Sequence, residues 1–267
     1  MPDIFEEIAR IKRERRQAAL ATVVSGGTGV PGKTGFRMIV YPDGKILGTV
    51  GGGPLEAKVR DEALRCMQEK TSKLLKLQLD QTESGIGVLC GGQAEVFLEP
   101  IIPTSAIYIF GGGHIALPLA QFAKALEFDV IVIDDRKEFA NRDRFPNADE
   151  VKAGNYSDII RSMEFHTDDC VVIVTHGHEH DESVLKEIIS KKNIPGYIGM
   201  IGSKAKVTSV FSHLKQQGIS EDLLAKVNAP IGLGIGSTTP AEIAVSIIAE
   251  IVAFKHGRLP DKASSNQ

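Results

Sequence analysis

The chain has 267 residues, of which 42% are hydrophobic and 24% are charged, and its formal net charge at pH 7 is -3. This composition is typical of a folded globular protein, and a chain of this length has room for two domains. The nearly balanced charge offers no electrostatic reason to bind nucleic acid or an acidic membrane. No apolar run is long enough to span a bilayer, and the first residues are charged. We therefore expect a cytoplasmic protein without nucleic-acid or membrane partners.

The first hundred residues contain strand and helix patterns that do not alternate regularly. An amphipathic pattern predicts a helix over 3–16, and a second helix is predicted near 54–69. The remaining patterns alternate apolar and polar residues or are rich in β-branched residues, and they predict strands at 18–24, 36–40, 45–50, 75–79 and 94–98. Such an order is typical of a small α+β domain, which we assign to residues 1–102.

The rhythm changes after a linker around residues 100–105, and strands then alternate with helices. Strands are predicted at 106–110, 130–133, 171–174 and 197–201, and helices near 115–126, 183–190, 204–217 and 240–255. This alternation predicts a parallel α/β sheet over residues 103–267.

A glycine-rich loop follows the first strand of this second domain, at Gly111, Gly112, Gly113 and His114. Together with Ala116 the loop fits G-x-G-x-x-A, in which glycines let the backbone approach a pyrophosphate at a helix N-terminus. The next strand ends at Asp134 and Asp135, where an acidic side chain would bind a ribose hydroxyl. The pattern predicts a Rossmann-type domain with a dinucleotide crevice. Because Arg136 follows, the choice between NAD and NADP stays open.

Residues 27–34 match the sequence motif G-x-x-x-x-G-K-[ST] of a phosphate-binding loop, but the residues around them do not fit such a loop. A working loop of this kind must open a helix, so that the backbone amides face the phosphates. Here strand-like residues 36–40 follow instead. The context argues against an ATPase.

Several polar side chains follow the predicted strand at 171–174, namely Thr175, His176, His178, His180 and Asp181. Three imidazoles and a carboxylate are a possible zinc site, and a zinc-dependent hydrolase is one hypothesis. The segment also follows the carboxyl end of a sheet strand, where open α/β sheets bind ligands. We favour Thr175, His176 and Asp181 as pocket residues, and His176 and Asp181 are candidate catalytic groups.

Two features of the first domain also suggest ligand contacts. Gly51, Gly52 and Gly53 join a strand to a helix, and free amides at that point would bind an anion. Cys90 precedes two glycines and is a candidate nucleophile or soft metal ligand, although a lone cysteine is more often simply buried. The three cysteines show no paired spacing, which argues against disulfides or an iron–sulfur cluster.

The order and spacing of several segments together resemble the xanthine dehydrogenase accessory factor family, also called the XdhC/CoxI family. The segments that carry the resemblance lie at 48–53, 55–56, 90–92, 111–114, 134–136, 175–176, 181, 197–204 and 230–250. They cover nearly the whole chain. Three positions depart from the family pattern: Gly51 stands at the position of a serine, Pro54 at that of a common cysteine and Gly234 at that of a common aspartate. The departure at Pro54 leaves Cys90 as the better candidate for a soft ligand.

This resemblance implies an accessory protein that binds the molybdenum cofactor, supports its sulfuration and inserts it into a molybdenum hydroxylase. The implied partners are a xanthine dehydrogenase-type enzyme and a cysteine desulfurase, and a homodimer is plausible. The glycines at 51–53 and 111–113 would receive the phosphates of the molybdopterin. The main alternative is an NAD(P)-dependent oxidoreductase that uses the same crevice, with His176 as general acid or base.

Overall fold

The computed structural model describes residues 3–26, 32–78 and 93–259, apart from the side chain of His178. The chain divides into two compact units, Met1–Pro103 and Thr104–Gln267. Cys90 and its two glycines lie outside the described residues, as do positions 27–31 of the loop that resembles an ATPase motif. Among the described residues, no helix combines the length and apolar character that crossing a membrane requires.

In its described residues, the first unit is a five-stranded antiparallel sheet with two helices. The strand order is β3-β2-β1-β5-β4. In chain order the elements are α1 (Ile4–Arg13), β1 (Ala18–Gly26), β2 (Arg37–Val40), β3 (Ile46–Gly48), α2 (Gly53–Glu69), β4 (Lys73–Gln78) and β5 (Gln93–Ile101).

The two helices of this unit are amphipathic and bury their apolar faces. Along α2, Val59, Ala63 and Met67 recur at helical spacing and belong to one buried cluster with strands β1 and β5. Ile11 of α1 lies in a separate buried cluster with Ile39 and Ile101. Burying a side chain of this size contributes roughly 1.5–3 kcal/mol, so these faces hold the helices on the sheet.

The second unit is a six-stranded sheet in which every pair of neighbouring strands is parallel, in the order β11-β10-β9-β6-β7-β8. Its elements are β6 (Ala106–Phe110), α3 (Ala116–Ala125), β7 (Asp129–Asp134), β8 (Glu150–Ala153), α4 (Tyr156–Ser162), β9 (Cys170–Ile173), α5 (His178–Ile189), β10 (Tyr197–Met200), α6 (Lys204–Gln216), α7 (Glu221–Leu224), β11 (Val227–Asn228) and α8 (Pro240–Lys255).

Counted from β6, the strands lie in the order 3-2-1-4-5-6, which is that of the dinucleotide-binding Rossmann fold. The predicted parallel α/β fold is therefore confirmed. All five residues of β6 are buried, because one hydrophobic cluster covers each face of the sheet. Helices α3 and α8 contribute to one cluster, and α4, α5 and α6 contribute to the other.

Four short elements of the second unit are absent from the predictions, namely β8, α4, α7 and β11. The four residues of β8 are exposed or half-buried, so they lack the apolar run that marked the other strands. Helix α5 begins at His178, earlier than the predicted start at 183, because its first turn is polar and shows no apolar periodicity. These elements depend on contacts between distant segments.

Candidate functional site

The glycine loop and the segment after β9 lie side by side at the carboxyl end of the sheet. Strands β6 and β9 are paired, and the amide of Val174 donates to the carbonyl of Phe110 at 2.8 Å. Gly111 has a φ of +109°, and a Cβ placed there would lie 2.3 Å from the carbonyl oxygen of Val174. Only glycine permits this approach. The crevice therefore occupies the point where the strand order reverses, which is where such folds bind ligands.

Two of the three glycine amides in the loop are already bonded within the protein. The amide of Gly111 donates to the carbonyl of Ile133 at 2.7 Å, and that of Gly112 donates to Oδ2 of Asp134 at 2.7 Å. The amides of Gly113, His114 and Ile115 have no partner among the described residues. They precede α3, where the helix dipole favours an anion. These three amides are thus the candidate donors for a phosphate.

Asp134 holds the loop from inside the protein. Its side chain is fully buried, and both oxygens accept hydrogen bonds from the guanidinium of Arg136, at 2.9 and 3.0 Å. Burial alone would raise the pKa of this carboxyl group, but the hydrogen bonds from Arg136 and from the Gly112 amide outweigh it and lower the pKa to about 2. Asp134 is therefore a charged clamp on Gly112, and its oxygens are occupied by protein donors.

The segment after β7 covers the other side of Gly112. Nε of Arg144 donates to the Gly112 carbonyl at 2.9 Å, and a Cβ on Gly112 would lie 2.3 Å from the carbonyl oxygen of Phe139. The guanidinium of Arg136 lies 3.8 Å from the centre of the Phe139 ring. Sequence reasoning missed Phe139 and Arg144, because no motif marks them.

Asp181 stabilises the turn after β9, and its side chain is not exposed to a pocket as the sequence predicted. Its side chain is fully buried, and Oδ1 accepts bonds from the hydroxyl of Thr175 at 2.5 Å and from the Thr175 amide at 3.1 Å. Oδ2 accepts a bond from the ammonium of Lys206 on α6. The sequence did not reveal Lys206, which lies far along the chain. Asp181 and Thr175 thus position the loop that carries His176.

The structure brings Asp135, His176 and His180 together. Nδ1 of His176 lies 3.8 Å from Oδ1 of Asp135, and Nε2 of His180 lies 4.0 Å from Oδ2. The two imidazole rings are 4.5 Å apart between centroids, and the ring of Tyr156 meets His180 edge-on at 5.8 Å. The side chain of His178 lies outside the described part of the chain. The predicted histidine cluster therefore includes a carboxylate from the end of β7 that the motif did not contain.

The Tyr156 hydroxyl is buried beside these carboxylates. Burial, together with the charges of Asp134 and Asp135, raises the pKa of this hydroxyl well above its usual range. Tyr156 is therefore a neutral group in the neighbourhood of the cluster. Its hydroxyl has no hydrogen-bond partner in the described part of the protein.

The glycine loop of the first unit is closed by its own carboxylate. The amide of Gly51 donates to the Thr49 hydroxyl at 3.0 Å, and the amide of Gly52 donates to Oε1 of Glu56 at 3.0 Å. Thr49 in turn donates to Glu56 at 2.5 Å. A carboxylate at a helix N-terminus takes the place of an external anion. Among the described residues, the amide of Gly53 has no hydrogen-bond partner, so it is the one of the three glycine amides that could bind a ligand.

The two described cysteines are buried within hydrophobic clusters. Cys66 belongs to the core of the first unit, and Cys170 lies in strand β9. Burial raises the pKa of both thiols, to about 12 for Cys170, so neither is a reactive thiolate. Cys90, the predicted chemical cysteine, lies outside the described residues.

The fold and the site together define a protein with an antiparallel α+β unit and a Rossmann-type unit whose crevice has free amides at a helix N-terminus. Residues 107–251 match the family model described as the XdhC Rossmann domain, and residues 11–78 match that of the XdhC and CoxI family. The chain therefore belongs to the XdhC and CoxI family, as its motifs indicated.

Several known proteins are similar to this chain. The uncharacterized protein YqeB of Escherichia coli is 30% identical over 95% of this chain and 46% of its own length. A Bacillus subtilis protein, named as a probable xanthine dehydrogenase component, is 30% identical over 72% of this chain and 52% of its own length. The chain thus spans about half the length of these two relatives. The molybdenum cofactor insertion chaperone PaoD of Escherichia coli is 21% identical, over 89% of this chain and 83% of PaoD.

A solved structure described as a xanthine dehydrogenase from Bacillus halodurans shares the fold. The two chains are 23% identical, with a TM-score of 0.52, and the match covers 98% of this chain and 97% of the other. At this identity the similarity supports the fold alone.

Proposed function

We propose that this chain is an accessory protein that binds the molybdenum cofactor as its cargo and inserts it into a molybdenum hydroxylase of the xanthine dehydrogenase type. Family membership supports this proposal, as do the names of two relatives, a molybdenum cofactor insertion chaperone and a probable xanthine dehydrogenase component. Sulfuration of the cofactor and the cysteine desulfurase that supplies the sulfur belong to the same proposal.

The observation that carries the proposal is the set of free amides at Gly113, His114 and Ile115, beside the crevice between β6 and β9. The cofactor is a phosphorylated pterin, and its phosphate requires such donors. A Cβ at Gly113 would meet no atom within 4 Å, so the backbone there is open to a ligand. Donors, dipole and space are therefore all present at one place.

The carboxylates nearby are compatible with an anionic cargo at that place. Asp134 and Asp181 are both fully buried, and each is paired with a cation, Arg136 and Lys206 respectively. Their charges are therefore offset within the protein. The negative charge of Asp135 would repel an anion beside the histidines. We therefore place the phosphate at the start of α3, away from the histidines.

Equilibrium dialysis of the purified protein against intact molybdenum cofactor tests the proposal. We expect the wild-type chain to retain cofactor and the Gly113→Ala variant to retain much less, because a methyl group would block the open backbone. Gly234→Ala is the matched control, since a Cβ there also meets no atom within 4 Å. If the folded wild-type protein retains no cofactor, the proposal is wrong. If both variants lose the same amount of bound cofactor, the cofactor does not bind at Gly113.

A nicotinamide-dependent oxidoreductase is the alternative that the strand order favours. In such a site the carboxylate that ends the second strand binds the ribose, whereas here both oxygens of Asp134 accept protein donors. We therefore expect neither NADH nor NADPH to bind tightly. Fluorescence titration with both nucleotides separates the two functions, and saturable NAD(P)H binding that Gly113→Ala weakens would favour the oxidoreductase.

A further inference from the structure

We propose that Asp135, His176 and His180 form a binding site for one divalent first-row transition-metal ion. One potential ligand atom from each side chain lies within 4.8 Å of the other two. Ligand atoms around zinc lie about 2.0–2.2 Å from the ion, so small side-chain rotations are enough to close the measured separations. The site differs from the sequence motif in its carboxylate. Asp181, the carboxylate of the motif, is bonded to Thr175 and Lys206, and Asp135 supplies the carboxylate of the proposed site instead.

An unsatisfied carboxylate oxygen of Asp135 favours a bound cation at this position. Oδ1 of Asp135 is buried and has no hydrogen-bond partner within the described ranges of the chain. The nearest cationic or imidazole nitrogens to it are Nδ1 of His176 and Nε of Arg136, each at 3.8 Å, which is too long for a hydrogen bond. A buried, unpaired carboxylate oxygen is costly, and a bound cation removes that cost.

The local charges also favour a cation. Arg136 is the positive group closest to Asp135, but its guanidinium is held in two hydrogen bonds by Asp134. The ammonium of Lys206 is likewise taken by Asp181. Three carboxylates therefore share two cations within the described residues, and Arg136, at 3.8 Å from Asp135, offsets the charge of Asp135 only in part. The remaining negative charge favours a metal ion.

The chemistry of the three side chains selects the class of ion. Imidazole is a good ligand for zinc, iron, nickel and copper, whereas magnesium and calcium prefer oxygen ligands alone. Two histidines and one carboxylate form a common set of three protein ligands, which leaves a coordination position open for water or another ligand. His176 and His180 are both partly exposed, so that position is accessible to solvent.

Titration of chelator-treated, full-length protein with Co²⁺ tests the proposal without any molybdenum cofactor, so its outcome is independent of the proposed function. Visible absorption of the bound Co²⁺ reports the coordination, and Zn²⁺ competition gives the affinity. The variants are His176→Ala, His180→Ala and Asp135→Asn. His213→Ala is the matched control, because His213 also faces a carboxylate, Glu182, at 3.4 Å but lies outside the proposed site.

We expect one Co²⁺ per chain, displaced by Zn²⁺ and not by Mg²⁺, with affinity reduced more than about tenfold in the three site variants and unchanged in the control. Thermal unfolding identifies the variants that are folded. If Asp135→Asn does not fold, His176→Ala and His180→Ala are enough to test the proposal. The proposal is overturned if the folded wild-type protein binds no Co²⁺. It is also overturned if the folded histidine variants bind as wild type does, or if the control loses as much affinity.

Discussion

Gly112 donates its amide hydrogen to Oδ2 of Asp134 at 2.7 Å, which joins the glycine loop after β6 to the end of β7. The carboxylate is fully buried, and Arg136 neutralises it. In this chain the acidic residue at the end of the second strand therefore acts as a structural clamp. The clamp sets the position of Gly113, whose amide begins the open part of the loop.

Replacing Asp134 by asparagine is expected to destabilise the protein by roughly 2–3 kcal/mol, because charged hydrogen bonds are lost and the partly buried guanidinium of Arg136 loses the carboxylate to which it is hydrogen-bonded. Urea unfolding measures the change. Asp61→Asn is the control: it removes another aspartate–arginine contact, with Arg60, but that pair is exposed. We expect a loss of less than about 1 kcal/mol there. Equal losses would show that the clamp adds nothing.

The clamp should also be sensitive to acid. The folded pKa of Asp134, about 2, lies below its unfolded value of about 3.9. A depressed pKa stabilises the folded state above the unfolded pKa, and this contribution is lost as the pH falls through the folded pKa. The stability difference between wild type and Asp134→Asn should therefore be constant near neutral pH and shrink between about pH 4 and pH 2. Urea unfolding across this range measures it, and a gap that stays constant would contradict the assignment.

Two neighbouring glycines should respond differently to alanine. A Cβ at Gly112 would lie 2.3 Å from the carbonyl oxygen of Phe139, and backbone cannot move aside cheaply. We expect Gly112→Ala to cost at least about 1–3 kcal/mol. Gly113→Ala meets no atom within 4 Å and should remain close to wild type in stability. Thermal unfolding of both variants measures the difference. A Gly112→Ala protein as stable as wild type would show that the Phe139 backbone does not pack closely against Gly112.

The pair formed by Lys206 and Asp181 should show strong coupling. Lys206→Met leaves the fully buried Asp181 charge without its cation, and we expect a loss of about 3–5 kcal/mol. Adding Asp181→Asn removes the unpaired charge while keeping an acceptor for Thr175, so the double variant should be more stable than Lys206→Met alone. A double-mutant cycle from urea unfolding measures this coupling. Additive losses would contradict a direct ion pair.

Local sequence patterns predicted most of the fold because each pattern reflects one surface of one element. The buried strand β6 is apolar throughout, and the glycine loop and α3 follow it as the motif requires. The capping box of α8, with Thr239 and Glu242, can likewise be recognised from residue types at fixed spacing. Short elements such as β8 and β11 carried no such pattern, because their pairing depends on neighbours that are remote in the chain.

The site could be predicted only in part. The sequence placed glycines after one strand and polar residues after another, and the structure shows that these two strands are parallel neighbours, so the two segments lie side by side. The sequence did not distinguish Asp134 from Asp135. Asp134 ends β7 and Asp135 follows it, and their side chains have different neighbours: the carboxylate of Asp134 accepts a bond from Gly112, whereas that of Asp135 lies 3.8 Å from His176.

What the sequence determined by itself was the kind of fold and the position of the glycine loop, because these follow from periodicity and from the backbone freedom of glycine. The family was indicated by the order and spacing of motifs along the chain. The tertiary structure decided which amides are already bonded, which carboxylates are paired with cations, and which histidines face Asp135. Those outcomes depend on distances between residues far apart in the chain. Hydrogen bonds and ion pairs depend on these short distances, and only packing of the whole sheet sets them.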